Sequence, residues 1–124
     1  VLFEAVVSVE CLRSVVRQES GRCRVIVQLV RYGSSLTYEE VMERFEGRSD
    51  RYREVPGLLQ KYYVHYSETD EYGGVYIWES EAALQRWRDT NLAGTLAETY
   101  QVTNGPTSEV AEVMLILHGD KNPL

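Results

Sequence analysis

Two aromatic-rich runs, LLQKYYVHYS from Leu58 and GVYIWES from Gly74, constrain the fold of this chain more than any other feature. Tyr, Val, Ile and Trp at this density favour a pleated, half-buried surface, so each run reads as a strand. Only the polar stretch ETDEYGG separates them, which makes the two strands antiparallel neighbours. Pro56-Gly57 stands immediately before the first run and stops whatever helix precedes it.

The flanking sequence supplies that helix. Thr37 and Glu40 form a T-x-x-E capping box, and Val41, Phe45, Tyr52 and Val55 then fall near one helical face. Upstream, RCRVIVQLVRY (22–32) is β-branched and largely alternating, with Val25, Val27 and Leu29 opposite Ile26 and Gln28, as in a strand with two different faces. Downstream, Ser80 caps a second helix carrying Ala83, Leu84 and Trp87, followed by a turn-rich or helical piece around Leu92 and Leu96. Asn104-Gly105-Pro106 reads as a loop leading into VAEVMLILHG (110–119) as the fourth strand.

Strand, helix, strand, strand, helix, strand predicts a ferredoxin-like βαββαβ domain of the α+β class over residues 22–119, with 120–124 as a tail. Right-handed crossovers put both helices on one face of the sheet. The bare face then calls for a second copy, giving a homodimer through the open sheet face. Residues 1–21 form an N-terminal extension in which Leu2, Ala5, Val6, Val9, Leu12 and Val16 recur at helical spacing, although valine-rich sequence also suits a strand.

Charge narrows the partners. A net charge of −6 disfavours binding to nucleic acid, which needs a basic face. No apolar run approaches the ~20 residues that span a bilayer, so no membrane is expected. The start VLFEAVVSV is interrupted by Glu4 and Glu10 and lacks a leading basic residue, unlike a signal peptide, and the expected location is cytoplasmic. Cys11 and Cys23 lack the CxxC spacing of metal or redox sites and are expected to be reduced. With His65 and His118 as the only histidines and neither at ligand spacing from a companion, no metal is expected; nucleotide and hydrolase motifs are absent too.

The stretch VPGLLQKYYVHYSETDEYGGVYIWESEAALQRW (55–87) resembles the antibiotic-biosynthesis monooxygenase-like proteins, and within them the YdhR-like monooxygenases. The likeness lies in the Val-Pro-Gly-Leu turn with Lys61 three residues on, in GGVYIW, and in the Glu-Ser-Glu-Ala-Ala helix start. The resemblance implies a dimeric α+β barrel with a pocket between sheet and helices, and in some members oxygenation of polycyclic phenols without cofactors. It also implies that Trp78 lines the pocket and that Asn91 stands where related chains place a polar cavity residue. Two departures are plain: Tyr76 replaces a frequent glutamate, and Trp87 and Arg88 stand where a histidine is common.

Alternation places Gly74, Tyr76 and Trp78 on one face, so Tyr76 accompanies Trp78 and Gly74 leaves room beside them. On the preceding strand, Lys61, Tyr63 and His65 face opposite to Tyr62, Val64 and Tyr66, and either set could look inward. His65 is the expected catalytic base, because imidazole titrates near neutral pH. Tyr62, Tyr63 and Tyr66 offer hydroxyls to an aromatic ligand, and Lys61 a cation to a carboxylate or enolate. The expected function is a cofactor-independent monooxygenase-like oxidoreductase acting on a small phenolic or quinone-like compound. The alternatives are a non-catalytic dimeric module that binds small molecules, or an isomerase or cyclase using the same pocket.

Overall fold

A computed structural model describes residues 24–119. The expected N-terminal helix, both cysteines and the 120–124 tail lie outside the described residues. In chain order the elements are β1 (Ile26–Ser34), α1 (Tyr38–Arg53), β2 (Leu58–Tyr66), β3 (Glu71–Trp78), α2 (Glu81–Arg88), two single-turn helices α3 (Asn91–Gly94) and α4 (Leu96–Thr99), and β4 (Val102–Glu112). The strands form one sheet in the order β2-β3-β1-β4, every neighbouring pair antiparallel. This is the ferredoxin-like α+β arrangement expected from the element order.

Local chemistry sets each boundary. Thr37 Oγ1 accepts the Glu40 N–H (3.2 Å) and Glu40 returns a carboxylate oxygen to the Thr37 N–H (2.9 Å), closing the capping box that starts α1. That hydrogen bond from the Thr37 backbone holds the Glu40 carboxyl below its usual pKa. After α1, Gly57 turns the chain at φ +80, where a Cβ would come within 2.4 Å of the Ala83 Cβ. Ser80 caps α2 by accepting the Ala83 N–H at 3.1 Å.

Cross-strand pairing settles which side chains share a face. Tyr76 lies opposite Gln28 and Lys61, Gly74 opposite Val30 and Tyr63, and Tyr72 opposite Tyr32 and His65. Tyr32, Val30, Tyr72, Tyr76 and Trp78 pack with Val41, Phe45 and Tyr52 of α1 and with Ala83, Leu84 and Trp87 of α2 in one core, so this is the helix-covered face. Val27, Leu29, Val75, Ile77, Tyr62 and Val64 occupy the opposite face, where Leu29 and Tyr62 each remain 37% exposed.

The fourth strand corrects the sequence expectation. It runs over 102–112 rather than 110–119, and Asn104-Gly105-Pro106 lies within it. Register shifts against Arg31, Gly33 and Ser34 absorb these turn-type residues as an irregularity, and the edge position tolerates a proline that cannot donate to the ladder. The Gly105-Pro106 peptide is cis. The apolar run that follows is not strand. Val113 and Ile116 instead pack with Val25, Leu59 and Ile77 over one end of the open face, while Met114 and Leu117 stay 84% and 91% exposed. Strand three also starts earlier than expected, at Glu71, because Asp70 completes the turn at φ 54.

Candidate functional site

A cavity of about 330 Å³ opens between α1 and the edge strand β2. Ser49, Tyr52 and Arg53 contribute from α1, and Leu58, Leu59, Gln60, Lys61 and Tyr63 from β2. Its volume falls in the range of small-molecule sites. A β-bulge directs its central side chain: Leu58 pairs with Trp78 and Gln60 with Ile77, leaving Leu59 as the extra residue. Beyond the bulge, Lys61 and Tyr63 point toward the helices.

Lys61 is the chemically unusual member. Its Nζ stands 3.2 Å from the centroid of the Tyr52 ring, 4.2 Å from that of Tyr63 and 4.5 Å from that of Tyr76. Desolvation, aided by the Arg48 guanidinium, lowers the amine's pKa from its ordinary 10.5 to about 6. The ring faces oppose that shift, at about 0.5–2 kcal/mol per contact. Desolvation prevails because the charge facing the amine is a second cation, Arg48, and not a carboxylate. At neutral pH the side chain is therefore largely a neutral amine, able to take a proton. Gly74 makes the arrangement possible: a Cβ there would lie 3.0 Å from Tyr76 Cε1 and 3.3 Å from Lys61 Cε.

Two of the surrounding tyrosines are held in the protonated form by burial. Burial raises the Tyr63 pKa, and Tyr76, almost wholly buried, is raised well above its usual value by the same cause. Ser49 Oγ lies 3.4 Å from the Tyr63 hydroxyl and donates to the Phe45 carbonyl at 2.7 Å.

Arg48, which acts on Lys61 through its charge without lining the cavity, was missed by the sequence reading. It is 7% exposed, its terminal nitrogens donate to Thr95 Oγ1 (3.2 Å), Thr99 Oγ1 (2.7 Å) and the Leu92 carbonyl, and its Nε has no partner among the described residues. The signal was available: 41, 45, 48 and 52 follow the helical repeat, which puts Arg48 on the buried face of α1.

The structure separates the other expected site residues. Tyr76 and Trp78 stack at 5.9 Å with an interplanar angle of 2°, but Trp78 is 0% exposed and lines neither of the described cavities. Its indole N–H donates to Gln28 Oε1 (3.0 Å), and Gln28 Nε2 donates to Ser108 Oγ (3.2 Å), so Trp78 is anchored in the core. His65 shares a face with Lys61 but sits roughly 13 Å farther along β2, at about 3.3 Å per residue. There its Nε2 meets Asp70 Oδ1 at 2.9 Å and its ring stacks on Tyr72 at 4.8 Å. Tyr62 and Tyr66 lie on the open face, Tyr62 accepting from Gln60 Nε2 (2.6 Å) and Tyr66 lying 4.1 Å beneath the Arg31 guanidinium. Asn91 is exposed at the start of α3, its carbonyl bonded to Thr95.

A second cavity, of about 290 Å³, lies among β1, β4 and the helical segments α2 to α4, with Gln28, Trp87, Arg88 and Ser108 on its walls. Among the described residues, no group of three or more His, Cys, Asp or Glu is placed to hold a metal ion, and no helix is long and apolar enough to cross a membrane.

No family model and no curated protein matches the chain. Solved structures do match it. NE2512, a protein of unknown function from Nitrosomonas europaea, is 13% identical with a TM-score of 0.65, over 80% of this chain and 98% of that one. SnoaB, a cofactor-independent oxygenase from Streptomyces nogalater, is 14% identical with a TM-score of 0.57, over 79% and 99%. A dimeric ferredoxin-like protein of unknown function from Jannaschia sp. CCS1 is 16% identical with a TM-score of 0.55, over 71% and 96%. At these identities the likeness shows a shared fold and nothing finer.

Proposed function

We propose that the chain is a monooxygenase-like enzyme, needing no cofactor, that acts on a small phenolic or quinone-forming aromatic compound in the cavity between α1 and β2. The observation that carries this reading is the Lys61 amine, set among three tyrosine rings and open to a cavity of aromatic-ligand size. The fold shared with a cofactor-independent oxygenase supports it.

In this scheme Lys61 Nζ takes the proton of an acidic phenol or ring methylene. The resulting anion and the new ammonium pair with each other, so desolvation that disfavoured a lone cation now strengthens the pair. The electron-rich anion reduces dioxygen itself: a ring CH₂ becomes C=O while the second oxygen atom leaves as water, with all four electrons drawn from the substrate. The protein supplies position, a base and exclusion of water.

The open sheet face fits a second copy of the chain, since Leu29 and Tyr62 lie half-exposed upon it and Met114 and Leu117 project beyond its end. Light scattering behind size exclusion is expected to give a dimer at micromolar concentration; a monomer would overturn that assembly. Oxygen uptake with anthrones, naphthols and catechols tests the chemistry. Turnover that disappears in Lys61→Met is the expected result, and no uptake above buffer across the panel contradicts the oxygenase reading.

A further inference from the structure

The chain contains only two lysines against eleven arginines. Lys121 lies outside the described residues, so Lys61 is the one lysine of the described fold, and it is the one enclosed by aromatic rings beside a cavity. Arginine can hold charge at such a position but cannot give up its proton, and it does not form simple imines. A lysine amine freed of its proton is a nucleophile as well as a base.

We propose that Lys61 captures aromatic aldehydes covalently, forming an imine with the aldehyde's ring seated in the cavity between α1 and β2. The geometry supports both halves of the ligand. The faces of Tyr52, Tyr63 and Tyr76 surround Nζ, and Leu58 and Leu59 give the cavity apolar wall for a ring attached to the carbonyl carbon. No carboxylate pairs with Nζ in an ion pair among the described residues, so no such counter-charge holds the amine in its protonated form.

The step balances without an oxidant or reductant. The nitrogen lone pair adds to the carbonyl carbon, the C=O π pair moves to oxygen, and a proton passes from nitrogen to that oxygen, giving a carbinolamine. Its C–O bond then breaks, the oxygen leaves as water with the second nitrogen proton, and C=N forms. The net change is amine plus aldehyde to imine plus water.

The inference rests on the same reading of Lys61 as a neutral amine, yet the two chemistries separate because capture needs no dioxygen. The test is reductive trapping: the full chain is treated with benzaldehyde and cyanoborohydride at pH 7.5 under argon, digested, and the benzyl label located by peptide mass. Labelling of Lys61 at least about 10-fold faster than Lys121 is expected, since an amine of ordinary pKa is almost entirely protonated at that pH. In concentrated urea the two lysines should label alike, which ties the preference to the fold. Equal labelling in the folded chain, or preference for Lys121, overturns the proposal. Because the readout comes from the unaltered chain, it does not depend on any variant folding. Oxygen uptake without Lys61 labelling would refute capture and leave the oxygenase reading standing, and labelling without uptake would do the reverse.

Discussion

Lys61 and His65 stand on the same face of β2, with one intervening residue of that face between them, and their surroundings could hardly differ more. At the Lys61 end the strand passes under α1: the side chain is enclosed by three rings and faces Arg48, a charge of its own sign. At the His65 end the strand runs out toward the turn, where the imidazole is 30% exposed and has an aspartate partner in Asp70, itself 80% exposed. Residue type alone nominates histidine as the base at neutral pH. Under the proposed scheme the environment favours Lys61 instead, because burial without a counter-charge lowers its affinity for protons and its side chain lines the cavity.

The largest expected effect separates the two residues kinetically. With a phenolic substrate, Lys61→Met should lower kcat/KM by about 10²–10⁴, the usual worth of a positioned general base, while His65→Gln stays within about threefold. Initial rates of oxygen uptake decide between them, and the reverse ranking would break the comparison.

Stability should depend on pH through Lys61. The unfolded chain holds a proton on Lys61 up to about 10.5 and the folded chain only up to about 6. Between those values the unfolded state binds more protons, so stability rises with pH, by at most about 1.4 kcal/mol per unit; below 6 both states are protonated and the deficit is complete. The groups facing the amine are Arg48 and Tyr52 from α1, Tyr63 from β2 and Tyr76 from β3, and burial raises the pKa of Tyr63 and Tyr76. Lys61→Met is therefore expected to be more stable than the natural chain by about 2–4 kcal/mol at pH 7, after allowance for the lost ring contacts, with the gap narrowing as pH rises. Urea unfolding at several pH values measures it, and a gap that widens with pH contradicts the account.

A smaller effect sharpens the role of Gly74. Gly74→Ala would press a methyl group against the Tyr76 ring and the Lys61 stem, costing about 1–3 kcal/mol and displacing the amine toward solvent. The pKa of Lys61 should then rise. Smallest of all, His65→Ala should change stability by less than about 1 kcal/mol, since its pairing with Asp70 is largely solvated.

Much of the fold was legible because its signals are local. The capping box at Thr37, the Gly57 turn and the Ser80 cap mark boundaries by hydrogen bonding and backbone conformation that the residues themselves dictate. The fourth strand was not legible in the same way. Asn104, Gly105 and Pro106 are turn residues by propensity, and only pairing with β1, with its register shifts, makes strand of them. The site divides similarly. Alternation gave Lys61, Tyr63 and His65 a common face, and Gly74 an open place beside Tyr76, but the direction of that face depends on the bulge at Leu59, which is a tertiary outcome. Trp78 drew attention as an aromatic on the right face; its distance from the cavity follows from the Gln28 hydrogen bond and from core packing with Trp87 at 5.6 Å, neither visible in a single strand. Arg48 went unnoticed although its spacing placed it inside, because a charged side chain on a buried helical face runs against expectation.

Both proposed chemistries need Lys61 neutral at physiological pH, and the direct measurement is a titration of the lysine side chains by nitrogen-15 or carbon-13 NMR, feasible because the chain has only two. One lysine titrating near pH 6 and assigned to Lys61 by its loss in Lys61→Met, with the other near the ordinary value of about 10.4, is the predicted result. Both lysines titrating near 10.4 would contradict it.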